Sequence, residues 1–174
     1  MRGRWNPLVI QYPTGPNCDG CPYRSTSIAF APPQGYEVEY DNATKTWTKY
    51  IPGYVFLHSM YLFVVEALGK DEARQGRNLV GGTGGIFNSL LHGHAGIQRP
   101  SVAITNTVKC RPIKWRPCPN CQGSGCDRCR TRGQVPLRQS SGDFINARPS
   151  PGQVRECTER YLKPELAAFT GRTI

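Results

Sequence analysis

Four of the eight cysteines in this 174-residue chain stand so close together that they constrain the local fold directly. The segment CPNCQGSGCDRC contains two C-x-x-C pairs, formed by Cys118, Cys121, Cys126 and Cys129. Each pair offers two thiolates from one tight turn, and two such turns facing each other complete a tetrahedral site. The glycines between the pairs allow the chain to reverse there. The spacing therefore predicts a metal site, with zinc favoured over iron.

The other four cysteines are dispersed along the chain. Cys18 and Cys21 form a C-x-x-C pair near the N-terminus, whereas Cys110 and Cys157 stand alone far downstream. The pair favours a second metal site, but spacing leaves Cys110 and Cys157 open, as further ligands or as buried core cysteines. Disulfides are not expected, because the pairs are too close to staple much chain and no secretory signal precedes them.

The charge balance favours a polyanionic partner. Lys and Arg number 22 against 12 Asp and Glu, a formal net charge of +10. Two four-thiolate metal sites would lower this to about +6, which is still basic. The cations crowd around the compact quartet, where Trp115 could add base stacking, so we expect nucleic-acid contact there rather than a solvated loop. The candidate contacts are Lys109, Arg111, Lys114, Arg116, Arg128, Arg130 and Arg132.

The length suits one domain with a modest core. No run of about 18 apolar residues is present, which is the length needed to span a membrane as a helix. We therefore expect a protein that does not cross a membrane and that resides in the cytoplasm.

Two apolar runs predict an α/β core. Residues 61–65 read as a strand buried on both faces, and residues 101–105 as a second strand. Between them a glycine-rich turn precedes residues 86–91, which fit a helix with Ile86, Leu90 and Leu91 on its inner face. This order predicts a parallel strand-helix-strand crossover.

Polar side chains follow both predicted strands. Glu66 comes after the first strand and Asn106 after the second. Ligands of parallel sheets bind beyond the carboxyl ends of the strands, so we expect the two side chains side by side at a cleft. The carboxylate could orient water or act as a base, and the amide could read a base edge. The plainer interpretation is a solvated glutamate and a turn-forming asparagine.

Irregular and helical signals flank this core. Residues 31–54 suggest an irregular excursion with a hairpin near Asp41. Near the C-terminus, Ser150 and Pro151 predict the start of a helix with Cys157 and Tyr161 facing inward. Pro164 is expected to end or kink that helix.

Taken in order, these motifs resemble the iron-sulfur uracil-DNA glycosylases of the family 4 type. The motifs are the N-terminal C-x-x-C, V-E-A-L-G at 65–69, G-R-N-L-V-G at 76–81, T-N-T-V-K-C-R-P at 105–112, and a cysteine seven residues into a proline-started helix. The resemblance implies a three-layer α/β/α fold around a small parallel sheet. It also implies that Cys18, Cys21, Cys110 and Cys157 ligate a [4Fe-4S] cluster.

The resemblance further implies an enzyme that flips uracil out of DNA and hydrolyses its N-glycosidic bond. Asn106 would hydrogen-bond the uracil edge, and Glu66 and Ala67 would correspond to the G-E-A-P-G motif near the water and the sugar. Leu79 stands where the family has an aromatic that stacks on the base. The glycine-rich turn would hold a phosphate or a base oxygen. Because Val65, Leu68 and Leu79 depart from the family pattern, a non-catalytic nucleic-acid-binding protein with structural metal sites stays open.

Relative to the family, residues 113–145 read as an insertion: a basic zinc-binding hairpin within a single incomplete uracil-DNA glycosylase-like domain of residues 1–174. The family's second catalytic motif, a histidine followed by proline and a small residue, has no counterpart here, since His58, His92 and His94 all lack the proline. We expect the C-terminal part of the fold to be missing. A two-stranded sheet would have an open edge, so we expect a further segment or a second chain to complete it.

Overall fold

The structure is a computed structural model that describes residues 18–29, 39–41, 46–49, 59–130, 132–169 and 172–173. Within these residues, no helix has the length and apolar character needed to cross a membrane. The strands are β1 (Ser27–Ile28), β2 (Glu39–Asp41), β3 (Thr46–Lys49), β4 (Tyr61–Ala67), β5 (Val102–Val108), β6 (Arg111–Pro112), β7 (Trp115–Pro117), β8 (Gln134–Pro136) and β9 (Arg172–Thr173). The helices are α1 (Lys70–Gln75), α2 (Gly82–Gly93), α3 (Pro151–Cys157), a π-helix (Thr158–Leu162) and α4 (Lys163–Ala168), with short 3-10 turns at Arg24–Thr26, Arg99–Ser101 and Asp127–Cys129.

The core is a three-stranded sheet in the order β5-β4-β9. The two predicted apolar runs form β4 and β5, which pair in parallel as expected. The expectation of a sheet with only two strands is wrong, because β9 pairs in parallel with the other side of β4. Both β4 and β5 also extend beyond the apolar runs, which matters for the position of the polar residues at their ends.

Helices cover both faces of the sheet, which gives the predicted three-layer α/β/α arrangement. On one face, Phe87 and Leu91 of α2 pack against a cluster that includes Ile104. On the other face, Leu62 and Ala103 form a cluster against which Phe169, just after α4, packs. Burial of these apolar side chains on both sides is what stabilises a mostly parallel sheet.

The inner face of α2 differs from the prediction. Leu91 is buried, but Ile86 and Leu90 are 65% and 53% exposed. The cause is Gly84, where an added Cβ would lie 2.0 Å from the Leu79 carbonyl oxygen. This close approach fixes which side of α2 faces the core. Gly84 and the residues three and seven positions after it face inward.

The C-terminal helix begins as predicted and continues further. The Ser150 hydroxyl accepts a hydrogen bond from the Gln153 main-chain N–H, and the Gln153 side chain accepts one from the Ser150 N–H. This reciprocal pair is a capping box. Pro164 does not end the helix, because the π-helix just before it widens the turn and shifts the hydrogen-bond register at the residue that lacks an N–H.

The N-terminal segment is attached beside Cys110. β1 pairs antiparallel with β6, matching Ser27 with Pro112. The Gln153 side chain of α3 donates a hydrogen bond of 3.1 Å to the Ser27 hydroxyl. Separately, β2 and β3 form the expected antiparallel hairpin, and the connecting residues 42–45 lie outside the described residues.

Candidate active site and metal centres

The four dispersed cysteines converge on one small concave space. They are Cys18, Cys21, Cys110 and Cys157, and they come from the N-terminal segment, the chain after β5 and the end of α3. Within the described part of the chain, only the compact quartet brings three or more ligand side chains to the spacing of a single ion. The wider dispersed set suits a polynuclear cluster, in which each thiolate binds a different iron.

The surroundings of this space suit an anionic metal cluster. Arg24, Lys109 and Arg160 line it together with Tyr161. The Tyr161 hydroxyl lies 3.3 Å from the Cys18 Sγ. Four thiolates on an oxidised four-iron cluster carry about −2. Each of the three cations also pairs with a carboxylate, Asp19, Glu165 and Glu156 in turn, so together they offset that charge only in part.

Two of the dispersed thiols are buried deeply enough to affect their ionisation. Burial raises the pKa of Cys110 to about 12 and that of Cys157 to about 11. A thiolate at such positions needs a nearby compensating cation, which iron ions supply on binding. The donor set and its environment therefore fit the implied [4Fe-4S] cluster.

The compact quartet has the geometry of a single tetrahedral site. Its Sγ–Sγ distances are 3.8 Å between Cys118 and Cys126, 3.6 Å between Cys121 and Cys129, and 3.7 Å between Cys126 and Cys129. A tetrahedron with metal–sulfur bonds of about 2.3 Å has edges of about 3.8 Å. All eight cysteines of the chain are free of disulfides. The predicted four-cysteine metal-binding group is thus present in the structure.

Main-chain N–H groups point at the sulfurs of the compact quartet. The Gly125 N–H donates to Cys121 Sγ and the Cys126 N–H donates to Cys129 Sγ, both at 3.2 Å. Burial acts to raise the pKa of Cys121, but hydrogen bonds from the main chain of Gly123 and Gly125 and from neighbouring cysteines outweigh it, and the net pKa is lowered. At Cys121 these contacts favour the thiolate that a metal requires.

A short hairpin carries the compact quartet. β7 and β8 pair antiparallel, and the Cys118 N–H donates to the Gly133 carbonyl at 2.8 Å. An added Cβ at Gly133, where φ is +69°, would lie 2.1 Å from the Gly123 carbonyl oxygen. Glycine is therefore required where β8 returns over the first C-x-x-C turn. At the base of the hairpin, Ile113 and Asn146 form an isolated bridge.

Asn106 and Glu66 occupy neighbouring strands but differ in environment. Asn106 is 1% exposed and is paired in register with Val65, not with Glu66. Successive side chains of a strand leave opposite faces of the sheet, so Glu66 and Asn106 do not lie side by side as expected. The reason is that both residues lie inside longer strands rather than in the turns that follow them. The Glu66 carboxylate is exposed and accepts from the Arg148 Nε at 3.3 Å.

A buried chain of hydrogen bonds holds the Asn106 side chain. Its Nδ2 donates to Asn78 Oδ1 at 2.6 Å, and Asn78 Nδ2 donates to the Ile104 carbonyl at 3.0 Å. Asn78 is fully buried. Arg99 donates in turn to the main-chain carbonyl of Asn78 at 2.8 Å. Asn78 lies within the G-R-N-L-V-G motif, but the motif does not indicate that its side chain is buried, and Arg99 has no sequence signal of its own.

The glycine-rich turn is already hydrogen-bonded within the protein. The main-chain N–H groups of Val80 and Gly81 both donate to Glu72 Oε1, at 3.1 and 3.0 Å. These two amides are therefore engaged within the protein, and a phosphate or base oxygen would have to displace Glu72 to bind them. Leu79, with φ of +50°, is buried in the core cluster of α2 and β5. Ala67 packs on the cluster that contains Cys110 and Val108.

Two of the basic candidates are interior residues, which corrects their assignment as phosphate contacts. Lys109 is 1% exposed, and its Nζ forms an ion pair of 2.6 Å with Glu165. Arg111 is 5% exposed and donates to Asn146 Oδ1 and to the Phe144 carbonyl. Both cations can be buried because they bind residues that are distant in sequence. A charged group is stable in the interior only when it has such specific partners.

The remaining basic candidates lie at the protein surface. They are Lys114, Arg116, Arg128, Arg130 and Arg132, all exposed on the hairpin. Trp115, considered for base stacking, instead donates from its indole N–H to the Thr26 carbonyl at 3.1 Å. The hairpin therefore carries a surface of five cations and is attached to the N-terminal segment at its base.

Comparison with known proteins agrees with this architecture. The family model described as "Uracil DNA glycosylase superfamily" matches residues 52–174. The chain belongs to the uracil DNA glycosylase superfamily. Membership of the superfamily accounts for the parallel sheet with helices on both faces and confirms the resemblance that the motifs indicated.

Several relatives within the superfamily are named type-4 uracil-DNA glycosylases. The chain is 38% identical over 71 residues to that of Sulfurisphaera tokodaii, covering 39% of this chain and 32% of the relative. It is 41% identical over 68 residues to that of Archaeoglobus fulgidus, covering 39% and 34%. For Thermotoga maritima the figures are 40% over 65 residues, covering 37% and 33%. The chain thus spans about a third of the length of the curated relatives it matches.

Proposed function

We propose that this protein is a uracil-DNA glycosylase that acts in DNA repair. The observation that carries the proposal is the buried, hydrogen-bonded Asn106 amide near the carboxyl end of β5, inside the T-N-T-V-K-C-R-P segment. Membership of the superfamily and the names of the relatives support it. The proposed substrate is uracil in DNA, with the base flipped from the stack because its glycosidic bond is not accessible in a duplex.

In the proposed reaction, Asn106 binds the edge of the flipped uracil. Glu66, which lies on the other face of the sheet one residue before the end of β4, orients the attacking water beyond the strand end. The water oxygen bonds to C1′ of the deoxyribose, and the bond from C1′ to N1 breaks with its electron pair leaving on uracil. Glu66 accepts the proton that the water loses. Its ion pair with Arg148 is exposed, and such pairs are weak enough to open when a substrate binds. Ala67 and Leu79 are proposed to contribute to the walls of the base site.

Two metal cofactors are part of the proposal. A [4Fe-4S] cluster bound by Cys18, Cys21, Cys110 and Cys157 would hold the N-terminal segment to β5 and α3. A zinc ion bound by the compact quartet would hold the hairpin together, supported by sulfur spacings that match zinc–thiolate geometry. Elemental analysis of the protein purified without oxygen should find four irons and one zinc per chain.

DNA is the proposed partner of the hairpin surface. Five exposed cations on one small metal-bound unit provide a multivalent contact for phosphates, which carry most of the affinity for nucleic acids. The proposed domain division places this unit, residues 113–145, as an insertion in the glycosylase-like domain of residues 1–174.

A second candidate function is favoured by the burial of Leu79. Its side chain is packed in the core at the place where the family has a base-stacking aromatic, so the grip on a flipped base is reduced. This alternative is a non-catalytic protein that binds nucleic acid and uses both metal sites as structural supports.

A uracil-excision assay on single-stranded DNA separates the two functions. It compares the full protein with the variants Asn106→Ala and Glu66→Ala. A glycosylase should release uracil, and each variant should lose about 10²-fold or more in rate while its DNA affinity changes little. Arg155→Ala, an exposed change on α3, is the control and should keep full rate. DNA binding without uracil release by the iron-loaded wild-type protein would favour the alternative.

A further inference from the structure

The hydrogen-bond chain behind Asn106 determines which way its amide points. A main-chain carbonyl can only accept hydrogen bonds, so the Ile104 carbonyl requires the NH₂ group of Asn78 to face it. The oxygen of Asn78 therefore faces Asn106. Asn106 must turn its own NH₂ group toward that oxygen to donate a hydrogen bond to it. The orientation of both amides follows from one acceptor-only group in the backbone.

Orientation matters because an amide that can rotate reads two bases equally well. Uracil presents the O4 acceptor beside the N3–H donor, whereas cytosine presents the N4–H donor beside the N3 acceptor. One amide can pair with either edge by exchanging the positions of its oxygen and nitrogen. The contacts to Asn78 and Lys109 use one amide hydrogen and the main-chain carbonyl of Asn106, which leaves its other amide hydrogen and Oδ1 for a ligand.

We propose that Asn78 is a specificity-determining residue that positions Asn106 to accept uracil and reject cytosine. This inference rests on the proposed function. Rotation of the Asn106 amide would place its oxygen against the Asn78 oxygen and leave both groups without a hydrogen bond in the protein interior. Asn78 and Asn106 are 0% and 1% exposed, so water does not replace the lost bonds.

The main chain of Asn78 is itself held in place by Arg99. Arg99 donates to the Asn78 carbonyl at 2.8 Å and to Asn88 Oδ1 at 2.6 Å, and its guanidinium lies 5.3 Å from the centre of the Phe87 ring. The contacts of Arg99 with the Asn78 carbonyl and the Phe87 ring fix the backbone of Asn78 against α2. Asn88 is exposed and contacts the outer end of Arg99, so loss of its side chain removes neither of these contacts and provides a matched control.

The test compares two variants of Asn78 in the full, iron-loaded protein. The affinities measured are those for single-stranded DNA that contains 2′-fluoro-deoxyuridine or 2′-fluoro-deoxycytidine, nucleotides whose glycosidic bonds resist cleavage. Asn78→Ala should lower the preference for uracil over cytosine by about tenfold, the effect of about one hydrogen bond. Asn78→Asp keeps an oxygen facing Asn106 and should hold the preference within about twofold, although both variants lose the Asn78 donor to Ile104 and should melt earlier.

Asn88→Ala should match the wild type in preference. Equal preference in Asn78→Ala and wild type, or equal loss in Asn78→Ala and Asn78→Asp, would overturn the positioning role. Uracil release by the wild type is measured in parallel, so failure of the positioning role alone leaves the glycosylase proposal intact. A wild type that neither prefers nor releases uracil would overturn both.

Discussion

Single residues in the interior explain why charge alone does not identify a DNA contact. Lys109 lies among the surface cations in sequence, yet its ammonium group is buried against Glu165, Thr105 and the Asn106 carbonyl. Glu165 is fully buried and also accepts from the Thr105 hydroxyl at 2.7 Å. This network links β5 to α4 directly beneath the residue proposed to bind the base. Its partners are 56 residues apart, a separation that no local sequence pattern reveals.

Breaking this buried ion pair should destabilise the protein strongly. Glu165→Ala leaves the Lys109 charge buried without its partner, which is expected to lower the free energy of unfolding by about 3–5 kcal/mol. The double variant Lys109→Met with Glu165→Leu removes both charges and should recover most of that loss.

Chemical denaturation under oxygen-free conditions measures both effects. Glu159→Gln, which removes an exposed i, i+4 ion pair with Lys163, is the control and should change stability little. Equal losses of unfolding free energy from Glu165→Ala and Glu159→Gln would show that the buried pair contributes no more to stability than the exposed one.

At the scale of elements, apolar patterning predicted the strands well and the ends of the strands poorly. The runs at 61–65 and 101–105 became β4 and β5, but each strand extends two or three residues further into polar sequence. The extension is set by pairing between the strands, Val65 with Asn106 and Ala67 with Val108, which a single apolar run does not contain. Helix α1 was missed because its sequence, KDEARQ, has no apolar stripe.

The metal hairpin is the element whose local structure the sequence predicted best. Its two C-x-x-C turns and glycines lie where their spacing placed them, with the sulfurs at metal-binding distances. Short-range constraints of this kind depend on few residues and no distant partners. The roles of Arg111 and Trp115 at its base depend on Asn146 and Thr26, so they became evident only in the folded chain.

Removing three hairpin cations should weaken the salt dependence of DNA binding. If Arg128, Arg130 and Arg132 each neutralise a phosphate, their combined change to Gln should reduce the slope of log affinity against log salt by about 3 in duplex DNA, from about 0.9 per contact. Fluorescence anisotropy between about 50 and 200 mM salt measures the slope.

The matched control changes three exposed cations elsewhere, Arg74, Arg155 and Lys163, to Gln. It removes the same total charge from α1, α3 and α4, and should leave the slope nearly unchanged. Equal slopes for the two triple variants would mean that the hairpin does not contact DNA.

Across the whole molecule, the two cysteine sets have different structural roles. The dispersed set joins the N-terminal segment, the chain after β5 and α3, which are the elements around the proposed base site. The compact set closes a hairpin whose hydrogen bonds are mostly internal. The first set therefore joins elements packed around the sheet, and the second closes a hairpin at the protein surface.

The central claim is that this chain belongs to a working glycosylase. The most direct test incubates the full, iron-loaded protein with single-stranded DNA containing one uracil, in water enriched in oxygen-18, and follows both products by mass spectrometry. Hydrolysis at C1′ predicts free unlabelled uracil in equal amount to abasic DNA that carries one oxygen-18 in its sugar before exchange with the solvent. Intact DNA and no free uracil, from protein shown to bind that DNA, would contradict the account.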